Sequence, residues 1–304
     1  TSGTITVTRP GSGTVTASSG NTNIATVSVS GTTITVTAKA TGSATITVSV
    51  GADTNYTAPS SKTFTVAVTL VSKTLSSNSW AVIKAVSDAG QGANYWSIGA
   101  TKSVTINGKV GATTISSLKV DAFIIGFNHN SSKEGSNRIH FLLGKISGKF
   151  VGLVDSSYGS TTSTSGAFTM NTSNTNSGGW GSSQMRSKVL GSASSPTSPT
   201  ANTLLAALPS DLRAVMKSCT KYTDNKGGSN TASNVSSTTD YLFLLSEYEV
   251  FATHQYCNDA EPNYQAQYDY FKAGNSKVAN KHSATGTAAV WWLRSPLYGG
   301  IYSY

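Results

Sequence analysis

Residues 1–71 alternate apolar and polar positions in short runs, at 4–8, 24–29, 32–38, 44–50 and 64–70, separated by turn words such as Gly11-Ser12-Gly13, Ser30-Gly31 and Thr41-Gly42. Period-two alternation with turns at this spacing predicts a small antiparallel β-sandwich. The residues that would fill its core are Val27, Val29, Ile34, Val36, Ile46, Val48, Val66 and Val68. From Val71 onward the texture changes: tryptophans begin and apolar runs lengthen. Leu204, Leu205, Leu208, Leu212, Val215 and Met216 recur at three- and four-residue spacing, broken at Pro209-Ser210-Asp211. That pattern predicts two short helices within 201–217, one ending and the second being capped at that word, and the only convincing helical region of the chain. Residues 120–127, 139–143 and 241–245 read as strands, and 159–166, 191–200 and 226–239 as polar loops. The expected organisation is multidomain, an all-β domain over 1–71 and an α+β domain over 72–304.

Composition narrows the function classes. Charged residues make up 12% of the 304 positions, while Ser, Thr, Gly and Asn crowd every region, which favours strands and turns. The formal charge of +9 comes from 22 Lys and Arg scattered singly, with no basic run interleaved with aromatics. This argues against nucleic acid as a partner and leaves an anionic surface polymer as a milder reading. Cys219 and Cys257 are too few for a disulfide scaffold and lack metal-ligand spacing, so they are read as buried thiols or one incidental pair. No stretch reaches the roughly 20 apolar residues of a membrane helix, so no membrane insertion is expected.

In the first domain, Asn23-Ile24-Ala25-Thr26-Val27, the run from Gly42 to Val48 and Asn55-Tyr56-Thr57-Ala58-Pro59 resemble bacterial immunoglobulin-like domains of the invasin and intimin kind. That resemblance implies a spacer or adhesive module. One acid (Asp53), three bases and no His fall within 1–71, so spacer is the expected role.

The second domain carries six ordered words. They are Tyr95-Trp96-Ser97-Ile98-Gly99; Ile124-Ile125-Gly126-Phe127-Asn128; Gly178-Gly179-Trp180 with Ser183, Met185 and Arg186; Leu208-Pro209; Asp240 through Ser246 with Glu249; and Trp291-Trp292-Leu293-Arg294-Ser295-Pro296. Together they resemble a domain family of gut bacteria and their phages marked by the Trp-Trp-Leu-Arg-Ser-Pro hexapeptide, with Phe251 standing where a glycine is expected. The family is similar in turn to the C-type lectin fold used by formylglycine-generating-enzyme-like proteins and by the variable proteins of diversity-generating retroelements. In those variable proteins the stretch after a tryptophan-containing strand is rewritten and forms the binding face. The resemblance therefore implies ligand contacts at Leu297, Tyr298, Ile301, Tyr302, Ser303 and Tyr304. It also implies further strands past the hexapeptide, so that the domain lacks its C-terminal end.

The residue types fit independently. Tyr offers large amphipathic contact area at low entropic cost while Ser and Gly adapt, and three tyrosines fall in eight positions here. Every residue type present is also reachable from an adenine-mutagenised Asn codon. The alternative is a Gly-bearing strand and turn. Trp291, Trp292 and Leu293 are expected in the core, with Arg294 held by Asp240 or Glu249.

Chemistry offers weaker candidates. Glu261-Pro262-Asn263 is the mannose-recognition word of calcium-dependent lectins, yet no second acidic word supplies the six to eight oxygens calcium takes. His129, His140, His254 and His282 lie in different segments. Glu247 and Glu249 would share a strand face, Glu249 anchoring a loop and Glu247 solvated. No catalytic residue, cofactor or metal is expected. The composite expectation is a non-enzymatic protein of a virion or cell surface that binds a bacterial receptor or glycan and assembles with other virion or fibre proteins, as a homo-oligomer in one version. A purely structural decoration protein and a calcium-dependent lectin are the alternatives.

Overall fold

The computed structural model of the protein describes residues 1–153 and 168–297. The expected polar loop at 159–166 and the candidate contacts Tyr298, Ile301, Tyr302, Ser303 and Tyr304 lie outside the described residues. The chain divides into two compact units, Thr1–Val71 and Ser72–Tyr304.

The first unit is two three-stranded antiparallel sheets. One has the order β1 (Ser2–Thr6), β4 (Thr33–Ala38), β3 (Ala25–Ser30); the other runs β2 (Val15–Ser19), β5 (Gly42–Val50), β6 (Lys62–Val68). Alternation places Ile34 and Val36 of β4, Ala25 of β3, Val15 of β2 and Ala44 of β5 in one apolar cluster, against which Val27, Val29, Val48 and Val66 pack half-buried. Ile46 is also fully buried, whereas Val68 is half-buried. The alternation had not marked β2, because its outward positions are small Thr and Ser residues in a run of the same composition as the flanking turns. Asp53 ties two turns together: it accepts from the backbone N–H groups of Asn55 and Tyr56, and from Ser12 and Gly13 across the unit. Those bonds hold its carboxyl below the usual carboxylate range.

The second unit combines small antiparallel sheets with short helices. Its centre is a sheet of order β7 (Thr101–Val110), β8 (Thr113–Phe127), β9 (Ile139–Leu143). Residues 122–126 of β8 are buried without a break, the burial pattern of a strand covered on both faces. Helix α1 (Trp80–Asp88) starts at Ser79, whose side chain accepts from the Val82 N–H, and buries Trp80, Ile83 and Val86. On β8, Gly126 allows a close approach, since a Cβ there would come within 3.1 Å of the Tyr268 ring and 3.3 Å of His129. The main apolar cluster joins Phe123 and Ile125 to Phe150, Val250, Tyr268, Tyr270, Phe271 and Leu293.

Between these lie α2 (Gly92–Tyr95), α3 (Ser131–Glu134), the pair β10 (Lys145–Ile146) and β11 (Lys149–Phe150), α4 (Gly179–Ser182) and a π-helical turn at Met185–Leu190. There follow α5 (Leu204–Ala207), α6 (Ser210–Arg213), the hairpin β12 (Cys219–Asp224) with β13 (Val235–Asp240), α7 (Glu247–Phe251), α8 (Asp269–Lys272), and the pair β14 (Ala279–Asn280) and β15 (Ala288–Ala289).

Several expectations need correction. The longest helix is α1, not the 201–217 region, where α5 and α6 are single turns of four residues. The cap position of α6 is Pro209, whose side chain has no hydrogen-bond donor or acceptor, so no side chain caps the helix. Residues 241–245 are irregular; the strand is β13, inside the stretch read as a loop, because Thr and Ser on its exposed face masked the alternation. Trp291 and Trp292 are half-buried, with only Leu293 fully buried. Each indole instead spans from apolar packing to a backbone acceptor: Trp291 Nε1 donates to Lys277 O at 3.2 Å and Trp292 Nε1 to Phe168 O at 2.9 Å.

Candidate functional site

The site is best built from α7 outward. Ser246 and Glu249 form a reciprocal capping box: the Ser246 hydroxyl accepts from the Glu249 N–H at 3.1 Å, and the Glu249 carboxylate accepts from the Ser246 N–H at 2.9 Å. The expected strand carrying Glu247 and Glu249 is therefore a helix, and Glu247 is not merely solvated. Glu247 is the loop anchor, its carboxylate accepting from the N–H groups of Gln255, Tyr256 and Cys257 at 2.9 to 3.1 Å. The turn after α7, where Phe251 replaces the expected glycine, is made by Ala252 in the left-handed region at φ 59°.

Glu249 is instead the hub of a buried ion network. Arg294 grips it with both ends of its guanidinium, Nη2 to Oε1 at 2.9 Å and Nη1 to Oε2, and also donates to Thr223 Oγ1 and Leu244 O. Asp240, the other candidate partner, is taken by Trp180 Nε1 at 3.0 Å and Arg186 Nε at 2.8 Å. Burial alone would push the Glu249 carboxyl up, but the charges of Arg294 and Lys221 hold it well below the usual range.

Lys221, on β12, has no exposure to speak of at 1%; it donates to Glu249 Oε1 (2.8 Å) and Tyr268 Oη (2.8 Å) and pairs with Glu134 Oε2 at 2.9 Å. The β8–α3–β9 connection places His129, Glu134 and His140 around it: His129 Nδ1 lies 3.0 Å from Glu134 Oε2, and His140 Nδ1 3.0 Å from Tyr268 Oη. Two histidines that look unrelated in sequence are thus neighbours, with ring centroids 5.6 Å apart.

His129, Glu134 and His140 offer donor atoms within 4.8 Å of one another, the kind of set that holds a metal. A cation already stands beside them, however. The Lys221 ammonium touches the carboxylate a metal would need, so the residues fit a lysine-centred charge cluster rather than a metal centre. Sequence offered no signal for Glu134 or Tyr268. Lys221 alone could have been found, as an inward position of the Cys219, Lys221, Thr223 alternation.

This buried frame fixes the path of the hexapeptide into the last segment. Arg294 N donates to Leu245 O at 2.8 Å; Ser295 Oγ accepts from Glu247 N and donates to Glu261 Oε2 at 2.6 Å; Leu297 O accepts from Asn176 Nδ2 at 2.6 Å. Glu261 is fully buried, and its other oxygen accepts from the Asp224 N–H at 2.8 Å. The glutamate of the Glu-Pro-Asn word is therefore an internal brace, and burial pushes its carboxyl up. Cys219 and Cys257 are free and buried; burial pushes the Cys219 thiol up to about 12 and the Cys257 thiol up as well, so neither is a thiolate at neutral pH.

Above the frame lies a hollow of about 270 Å³ lined by Glu247, Phe251, Tyr256, Cys257, Leu293, Ser295 and Leu297 among others. Phe251 and Tyr256 are 45% and 43% exposed, unusual for large aromatics, and they flank the half-buried Leu297. Of the six expected contacts, Leu297 is the one within the described residues. Phe251 and Tyr256 are not among the six contacts the sequence predicts.

Neither a curated protein nor a solved structure matches the chain. Residues 162–304, a little under half of it, match the family described as Domain of unknown function (DUF6273), a stretch that takes in Lys221, Glu249, Arg294 and the whole hollow but not His129, Glu134 or His140.

Proposed function

We propose that the protein is a surface-displayed, non-enzymatic binding protein, in which the second unit meets a bacterial receptor or glycan through the hollow at Leu297 and the segment that begins there. The observation that carries this reading is the pair of exposed aromatics, Phe251 and Tyr256, set over a floor whose polar groups are already committed to one another. Exposed rings on a rigid base are the usual anchors of a binding surface. Glu247, Ser295 and Glu261 hold that base by backbone and side-chain bonds, so residues at the rim can change without disturbing it.

In this proposal the first unit is an immunoglobulin-like spacer and the second a C-type-lectin-like domain, carried on a phage particle or a bacterial surface, with Tyr298, Ile301, Tyr302, Ser303 and Tyr304 extending the contact face. The experiment is adsorption of the labelled full chain to a panel of gut bacterial cells and surface glycans, with Phe251→Ser and Tyr256→Ser beside the unaltered protein. Loss of adsorption in both variants at an unchanged melting temperature supports the reading. Adsorption unaffected by either variant removes the hollow from the site and favours a purely structural decoration role.

A further inference from the structure

A second hollow, of about 180 Å³, opens between α1, the edge strand β9 and the segment around α6. Its polarity changes along its length. At one end Trp80 of α1 meets Phe141 of β9 edge to face, ring centroids 5.6 Å apart, with Leu143 and Val215 also in the lining. At the other end Ser87 Oγ and Lys217 Nζ both donate to Asn137 O at 3.0 Å, and Arg138 donates to Ser218 O through Nε and Nη2. Charge at this end is not balanced. Lys84 and Lys217 share the single carboxylate of Asp88, and Arg138 donates to backbone carbonyls and to no carboxylate among the described residues.

His140 also lines the hollow, and its Nδ1 lies 3.0 Å from Tyr268 Oη. The Lys221 ammonium donates to Tyr268 Oη, so the Tyr268 hydroxyl hydrogen is free to reach His140 Nδ1. That leaves the ring's other nitrogen, Nε2. That nitrogen is buried and has no hydrogen-bond partner among the described residues. Burial, and then the Lys221 charge, also keep this imidazole neutral well below its ordinary range.

We propose that this hollow is a binding site for a small carboxylate with an apolar body of about one ring or six carbons, its body against Trp80 and Phe141 and its charge at the Arg138 and Lys217 end. The size fits, because a dry cavity of roughly 150 Å³ admits benzene. The excess positive charge selects an anion over a neutral molecule of the same length. This site is separate from the hollow at Leu297 and does not depend on the receptor-binding reading.

The test is calorimetric titration of the full chain with hexanoate and with hexan-1-ol, repeated on Arg138→Met and Val215→Trp. Expected is saturable hexanoate binding at least about tenfold tighter than hexan-1-ol, a loss of about tenfold for hexanoate alone in Arg138→Met, and loss of both ligands in Val215→Trp. Absence of saturable hexanoate binding up to about 10 mM, equal affinity for the alcohol, or binding that survives Val215→Trp overturns the proposal. Should either variant fail to fold, the comparison of acid with alcohol on the unaltered protein decides it alone.

Discussion

Replacing Arg294 with Met tests whether the buried frame is a single interacting unit. Arg294 and Glu249 are both 0% exposed and joined by two parallel charge-assisted bonds. Arg294→Met leaves Glu249 sharing the one Lys221 ammonium with Glu134, so two carboxylates face one cation in a dry interior. Removing one partner of a buried pair costs about 3–5 kcal/mol, and Glu249→Met should cost a similar amount because it strands the guanidinium. The double replacement leaves Lys221 and Glu134 as a balanced pair. It should therefore cost about as much as one single variant, not the sum of two, giving a coupling of about 3 kcal/mol. Urea unfolding followed by tryptophan fluorescence measures this cleanly, since all five tryptophans lie beyond residue 71 and report the second unit alone. Additive single effects, with coupling under about 0.5 kcal/mol, would refute the reasoning, because the pair would then not depend on one another.

Three further outcomes follow from the same geometry. Trp180→Ala, at a fully buried indole bonded to Asp240, should cost about 3–5 kcal/mol, whereas Trp292→Ala at a half-buried one should cost less than half as much; equal losses by urea unfolding would contradict the assigned burial. His140 is held neutral in the fold while the unfolded chain takes up a proton near 6.5, so the unfolded state binds more protons below that pH and stability is lost as pH falls from 6.5. Glu261, whose carboxyl is raised, works in the opposite sense, so the check is a pH series on wild type and His140→Gln, where the acid-side slope must be smaller in the variant. Excess chelator should leave the melting temperature unchanged, since Glu261 is an internal brace and Lys221 stands at the histidine cluster; a drop reversed by calcium or zinc would show that an ion belongs there.

How much of this was legible in the sequence differs between the two units. In the first, alternating Val and Ile against Thr marks five of six strands, because each strand has one covered and one open face. In the second, single-turn helices and strands such as Val235–Asp240, built from Ser and Thr, carry no periodicity to read. Helix α1 did leave a signal, Ser79 before Trp80, Ile83 and Val86, but its β-branched residues read equally well as strand. The ion network was legible at Arg294, where a guanidinium among bulky apolar residues demands a buried carboxylate such as Glu249, and at Lys221, an inward position of β12. Its members come from separate segments, Glu134 and Lys221 lying 87 residues apart in the chain, and are joined by packing that no local pattern encodes.

The most direct test of the central claim sets the frame against the face. Melting temperature and adsorption to the bound cell or glycan are measured together for Tyr298→Ser, Tyr302→Ser and Tyr304→Ser beside Arg294→Met. The account predicts that the tyrosine variants melt like the unaltered protein and lose or redirect adsorption, while Arg294→Met melts early. Tyrosine variants that melt as early as Arg294→Met, or that adsorb as strongly as the unaltered chain, would contradict it.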